Sequence, residues 1–130
     1  MAMEKRFVLM VAVFLGLQSL VAATSGTATY YTEYTPSACY GNQNKGTMIA
    51  AASDAIYNKG AACGRRYSVK CTGPTNQGVP HPCTGASVTV TIVDLCPSPG
   101  CQATLDLSQQ AFAAIADQNA GKIKIEYTQV

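Results

Sequence analysis

The sequence predicts a mainly β protein, a closed β-barrel with one or two short helices, and three observations support this prediction. Several short segments alternate apolar and polar residues, as half-buried strands do, and the connections between them are rich in turn-forming residues. Only one segment has a clear helical spacing of apolar residues. This pattern favours a barrel over a parallel α/β sheet, and closure also removes exposed strand edges.

The amino terminus is typical of a secretory signal peptide. A short basic segment precedes an almost continuously apolar run at 7–23, and small residues follow. An uncleaved membrane anchor is the alternative, because the run is just long enough to be considered for spanning. Gln18 interrupts the run near the small residues, which favours cleavage after Ala23. We expect residues 1–23 to be the signal peptide and residues 24–130 to be one mature domain without stable membrane insertion.

The charge of the mature region argues against nucleic acid as a partner. Residues 24–130 carry seven lysines and arginines against six aspartates and glutamates, a net charge of about +1. They contain no basic cluster beyond Arg65 and Arg66, so nucleic acid is not an expected partner. The only histidine, His81, lies between two prolines and is interpreted as a solvent-facing loop residue. No metal site, phosphate-binding glycine loop or cofactor is predicted.

The cysteines indicate a disulfide-bonded, exported domain. All six lie in the mature region, at positions 39, 63, 71, 83, 96 and 101. An even number in an exported chain is typical of three disulfides. Six cysteines allow 15 pairings, among which the spacing alone does not choose.

The predicted elements follow from local composition and period. A segment rich in Thr and Tyr favours a first strand at 26–34. The apolar run within 47–57 could be strand or helix by its period alone, and it is interpreted as a short strand followed by one helical turn. Strict alternation predicts three further strands, and an apolar stripe predicts a helix that Ser108 or Asp106 caps. These strands are expected at 66–71, 87–94 and 122–128, and the helix at 108–116.

The stretch from 87 to 116 carries the candidate chemistry. Its strand runs into Asp94 and Cys96, a short Pro/Gly loop closes on Cys101, and Asp106 precedes the helix. These two aspartates are the only carboxylate pair that we consider as a candidate acid and base for glycoside hydrolysis. The structural alternatives are that Asp106 caps the helix and that Asp94 anchors the turn at 97–100.

Several motifs, in order along the whole mature chain, resemble the plant natriuretic peptides. These are small secreted proteins whose domain is similar to family-45 endoglucanases and to the first domain of expansins. More weakly, the VDLC motif is similar to barwin and kiwellin. The motifs that carry the resemblance are ATYYT at 28–32, ACYG at 38–41, GAACGRRYSVKC at 60–71, VTIVDLCP at 90–97 and LDLSQQAF at 105–112.

The resemblance implies a six-stranded double-psi β-barrel. It also implies sequential disulfides, Cys39 with Cys63, Cys71 with Cys83 and Cys96 with Cys101. In expansins and the related hydrolases, an aspartate in an HFDLS-like motif lies in the polysaccharide groove, and Asp106 of LDLS matches it. Thr29 and Tyr31 match the groove residues of the expansin ATWYG motif, while Asp94 is a weaker groove candidate.

Two departures from the family pattern argue against catalysis. The base of the related hydrolases belongs in the first strand region, where this chain has Tyr30, Tyr31 and Thr32. The histidine of HFDLS is replaced by Thr104. Tyr34 and Tyr40 join the two strand tyrosines as possible sugar-stacking residues, although packing explains them equally well, and the chain has no tryptophan.

The resemblance therefore implies a non-enzymatic extracellular signal in the apoplast that affects water and solute homeostasis, with a role in stress or defence. In that family, activity is attributed to a segment matching about 39–67 here. The expected partner is a plasma-membrane receptor or a cell-wall polysaccharide, and the expected state is a monomer. The alternative is a wall-binding or wall-loosening module, or a weak glycoside hydrolase that uses Asp106. A third interpretation is a barwin-like or kiwellin-like defence protein.

Overall fold

The computed structural model describes residues 22–75 and 78–130. The predicted signal peptide therefore lies almost entirely outside the described residues. Among those that are described, no helix is both long and apolar enough to cross a membrane.

Six strands form one closed barrel, as predicted. In chain order they are β1 (Thr24–Tyr31), β2 (Ile49–Ser53), β3 (Arg66–Pro74), β4 (Ser87–Cys96), β5 (Leu105–Ser108) and β6 (Ile123–Gln129). Around the barrel the order is β1-β5-β2-β4-β3-β6. The pairs β1–β5 and β2–β4 are parallel, and the other pairs are antiparallel. The parallel pairs bring together segments that are far apart in sequence.

In the part of the chain that the structure describes, two short α-helices lie against the barrel, namely α1 (Asp54–Tyr57) and α2 (Gln109–Ile115). The predicted turn after β2 and the predicted helix near 108–116 are therefore both present. Ser108 caps α2, because its Oγ accepts a hydrogen bond from the amide of Ala111 at 3.0 Å. The alternative that Asp106 caps this helix was wrong, because Asp106 lies inside strand β5.

Strand β5 was not predicted from the pattern. Its four residues, LDLS, place Leu105 and Leu107 in the core and turn Asp106 toward the outer surface. The strand is short because Ser108 ends it and starts α2 at once. It pairs with β1 on one side and β2 on the other, so LDLS lies between two strands instead of in a loop.

The core fills the barrel and extends under α2. Phe112 is fully buried and its ring lies 4.9 Å from the ring of Tyr30. The inward-facing residues of the strands complete this core; they include Ala50, Ala52, Val69, Val90, Ile92, Leu105, Leu107, Ile123 and Ile125.

Three disulfides fasten the loops to this barrel. They join Cys39 to Cys63, Cys71 to Cys83 and Cys96 to Cys101, the pairs that the resemblance implies. The Cys39–Cys63 bridge holds the loop after β1, and the Cys71–Cys83 bridge holds the long proline-rich connection between β3 and β4.

Candidate functional site

Strand register places the candidate site residues in one row across four strands. Thr29 of β1 is opposite Asp106 of β5, and Asp106 is opposite Ala51 of β2. Ala51 is in turn opposite Asp94 of β4. Adjacent strands are about 4.8 Å apart, so the two aspartates lie about 10 Å apart at their Cα atoms. This row, Thr29–Asp106–Ala51–Asp94, forms the floor of the candidate groove.

A β-bulge determines which way Asp94 points. Along β4, Val90 and Ile92 are fully buried in the core, so strict alternation would also turn Asp94 inward. The register shifts between Ala50 and Ala51, so that Ile92 is opposite Ala50 whereas Asp94 is opposite Ala51. The extra residue, Val93, reverses the alternation. Asp94 therefore lies on the same outer face as Asp106.

Asp106 is a half-buried carboxyl with one hydrogen-bond donor from the groove. The Thr29 hydroxyl donates to its Oδ1 at 2.9 Å. Burial raises the pKa of Asp106; the Thr29 hydrogen bond lowers it and the charge of Asp94 raises it further. The net effect is a raised pKa, which favours the protonated form over a wider pH range than for a free aspartate.

Asp94 is fixed by backbone amides. Its Oδ1 accepts hydrogen bonds from the amides of Ala38 and Leu95, both at 2.9 Å. The first of these ties the loop that follows β1 to β4. The interpretation that Asp94 anchors the turn at 97–100 was therefore wrong. Asp54 has that role instead, since its Oδ2 accepts the amide of Ser98 at 3.2 Å.

Tyr31 lies close to both aspartates. It is two residues beyond Thr29 on β1 and so faces the same side of the sheet. Burial raises its pKa strongly, and the charges of Asp94 and Asp106 raise it further, so the phenol keeps its proton. Its hydroxyl is buried and has no hydrogen-bond partner among residues 22–75 and 78–130.

The tyrosines that were candidates for sugar stacking have different surroundings. Tyr30 packs against the core, whereas Tyr31 and Tyr34 form an edge-to-face pair with ring centroids 5.3 Å apart beside the groove. The Tyr34 hydroxyl accepts the amide of Gln109 and donates to the side-chain oxygen of Gln110, which fixes its ring at the start of α2. Tyr40 lies away from this pair, under the ammonium group of Lys45 at 4.2 Å.

Sequence reasoning missed one contributor to this site, Ala51, and did not single out another, Tyr34. Ala51 is only 3% exposed and lies between the two aspartates with a single methyl group as its side chain. Tyr34 was one of four stacking candidates, and only its pairing with Tyr31 distinguishes it. The predicted candidates lie close to one another; they are Thr29, Tyr31, Asp94 and Asp106. Within the described ranges, no group of three or more His, Cys, Asp or Glu residues could hold a metal.

Comparison with known proteins agrees with this architecture. The chain is 63% identical over 114 residues to an EG45-like domain containing protein from Citrus jambhiri, covering 87% of this chain and 86% of the relative. It is 54% identical over 125 residues to the putative EG45-like domain containing protein 1 of Arabidopsis thaliana, covering 96% and 98%. The chain belongs to the EG45-like domain family. This family is the one indicated by the motif resemblance.

The fold comparison extends the relationship to expansins. A family model described as lytic transglycolase, DPBB_1, matches residues 49–127. A mutant expansin from Clavibacter michiganensis, solved in complex with cellohexaose, superposes with a TM-score of 0.62 at 31% identity. The match covers 84% of this chain and 50% of the expansin, so the chain spans half of that protein. The barrel is thus the double-psi β-barrel that was expected.

Proposed function

We propose that this protein is a secreted, non-hydrolytic module that binds a neutral cell-wall glucan in the Thr29–Asp106–Ala51–Asp94 groove. The observation that carries the proposal is the row itself, which presents a hydroxyl and two carboxyls on one outer face. Sugar hydroxyls both donate and accept hydrogen bonds, and carboxyls with a phenol and a hydroxyl supply both partners. The Tyr31–Tyr34 pair adds an aromatic edge.

The similarity to expansins supports the choice of ligand. The Clavibacter michiganensis expansin that superposes on this barrel was solved with cellohexaose. By motif resemblance, Asp106, Thr29 and Tyr31 match residues of the expansin groove motifs. A β-1,4-linked glucan is therefore the first ligand to test.

The arrangement of the carboxyls argues against hydrolysis. Hydrolysis needs an acid together with a second carboxyl that is free to act as a base or a nucleophile. Asp94 is the other carboxyl of the row, on the far side of Ala51 from Asp106. Asp94 also holds two backbone amides, a structural task that keeps its Oδ1 engaged. We infer that the groove binds a chain without cleaving it.

Calorimetric titration of residues 24–130 with cellohexaose tests this function. We expect saturable binding that Asp106→Asn weakens about tenfold, since a hydrogen bond to a charged group is worth about 1.5–3 kcal/mol. Asp117→Asn is the matched control, because Asp117 is exposed, caps the short helical turn at Gln118–Ala120 and is not part of the row. Absence of binding, or equal weakening by both variants, would refute the proposal that the glucan binds in the groove. Release of reducing sugar that Asp106→Asn abolishes would refute the non-hydrolytic role.

Secretion is part of the proposal. We propose that cleavage after Ala23 releases residues 24–130 as a monomer to the apoplast. The apolar run at 7–23 and the disulfides support this, because disulfides persist in oxidising compartments. Amino-terminal sequencing of the protein from apoplastic fluid should begin at Thr24, and retention in the membrane fraction at full length would contradict it.

A second proposed function is extracellular signalling that affects water and solute balance through a plasma-membrane receptor. It is supported by similarity along nearly the whole chain to EG45-like domain proteins, and by a segment at 39–67 that one disulfide closes and that exposes residues 41–48. Protoplast swelling should respond to the folded protein and to a synthetic 39–67 peptide. A response to neither would refute signalling, and a response to the folded protein alone would exclude this segment.

A further inference from the structure

A cavity lies at the opposite end of β1 from the groove. It has a volume of about 400 Å³ and is bounded by the start of β1, helix α1, the start of β3 and the end of β6. Thr24 at its rim is five residues from Thr29, which is about 16 Å along a strand. The volume is within the range of small-molecule sites. This cavity is therefore separate from the groove.

Its inner wall is aromatic. Tyr67 is only 7% exposed, and its ring meets that of Tyr127 edge to face with centroids 5.9 Å apart. Burial raises the pKa of Tyr127 and the neighbouring Tyr67 raises it further, so the Tyr127 phenol stays neutral near pH 7. Ile56 of α1 adds an aliphatic surface. A flat apolar group fits against this wall.

Its rim carries one positive charge that no described residue neutralises. Arg65 lines the cavity, and no carboxylate is among the lining residues. Two acids adjoin lining residues along the chain: Asp54 accepts the amide of Ser98, and Glu126 is an exposed residue that alternates with the inward-facing residues of β6. Asn58 and Gln129 add amide groups near the rim. Cleavage after Ala23 would remove Ala22 from this lining and leave the α-ammonium group of Thr24 there, a second positive charge among the lining residues.

We propose that this cavity binds a small carboxylate that carries a planar aromatic ring. The guanidinium of Arg65 pairs with the carboxylate, and the ring lies against Tyr67 and Tyr127. A guanidinium forms charge-assisted, bidentate hydrogen bonds with carboxylates, which fixes the orientation of the ligand. A neutral sugar would leave the guanidinium without an ionic partner, and a cation would be repelled by it. The chemistry of this cavity therefore differs from that of the groove.

The test is titration of residues 24–130 with 3-phenylpropionate, followed by calorimetry and amide NMR shifts. We expect saturable 1:1 binding with shifts at 55–58, 65–67 and 127–129. Arg65→Met should weaken binding by about tenfold or more, the effect of losing one charge-assisted hydrogen bond. Arg66→Met is the matched control, because the neighbouring arginine is also exposed and does not line the cavity. It should leave the affinity within about twofold.

A neutral ligand keeps the test decisive if a variant fails to fold. 3-Phenylpropionamide has the same ring without the charge and should bind wild type about tenfold more weakly. Asp106→Asn should leave binding of the carboxylate unchanged, since Asp106 is in the groove. The proposal is overturned if no saturable binding occurs, if the shifts centre on the groove, if the amide binds as well as the acid, or if both arginine variants behave alike.

Discussion

Replacing Thr29 with valine removes the hydroxyl that holds Asp106 while keeping a β-branched side chain on β1. The hydroxyl donates to Oδ1 at 2.9 Å, and this bond favours the ionised carboxyl. A hydrogen bond to a charged group is worth about 1.5–3 kcal/mol. Because Asp106 is half-exposed, we take about half of this value, and 1.36 kcal/mol equals one pKa unit. Thr29→Val should therefore raise the pKa of Asp106 further, by about 0.5–1 unit.

Carbon-detected NMR titration of the Asp106 carboxyl measures this shift directly. Wild type should titrate above the ordinary aspartate value of about 3.9, because burial raises the pKa. Thr89→Val is the matched control, a half-buried strand threonine on β4 outside the row. The reasoning is refuted if Thr29→Val leaves the pKa unchanged or lowers it, or if wild type titrates at or below about 3.9.

Three further predictions concern stability. Burial raises the pKa of Asp106 in the folded state, so wild type should lose stability as pH rises from about 4 through that pKa. In urea unfolding, the stability of Asp106→Asn relative to wild type should therefore increase with pH. A difference that does not change with pH would contradict this. Ser108→Ala, which removes a buried cap, should cost about 2 kcal/mol, against near zero for the exposed Ser87→Ala. Replacing Cys39 and Cys63 by serine should cost about 3 kcal/mol for a loop of 24 residues, and a loss below about 1 kcal/mol would exclude that loop-entropy account.

The strands that alternate strictly could be predicted from sequence, because one buried and one wet face produce a period of two. Strand β6 shows this most clearly, with Ile123 and Ile125 buried and Lys124 and Glu126 exposed. Its predicted range, 122–128, differs from the observed one by a single residue at each end. Helix α2 could also be predicted from sequence, because its apolar stripe packs on the core.

Strand β5 could not be predicted in the same way. Four residues are too few to establish a period, and LDLS continues directly into a helix whose cap is its own last residue. What makes it a strand is pairing with β1 and β2, whose nearest residues are more than 50 positions away in sequence. Propensity is a weak guide where such long-range pairing decides.

The site was predicted in part. The motif resemblance pointed to Asp106, Thr29 and Tyr31, and the structure places them beside one another. The resemblance did not indicate that Asp94 lies on the same outer face of the sheet as Asp106. That orientation depends on the β-bulge opposite Ala50 and Ala51. No local feature of the VDLC segment indicates this bulge.

The class of fold, the disulfide-rich character and the candidate groove residues could be predicted from local periods, composition and motifs, which are properties of neighbouring residues. The row of Thr29, Asp106, Ala51 and Asp94 and the cavity beside Arg65 could not be predicted in this way. Register, bulges and parallel pairing depend on contacts between distant segments, so they appear only when the barrel closes.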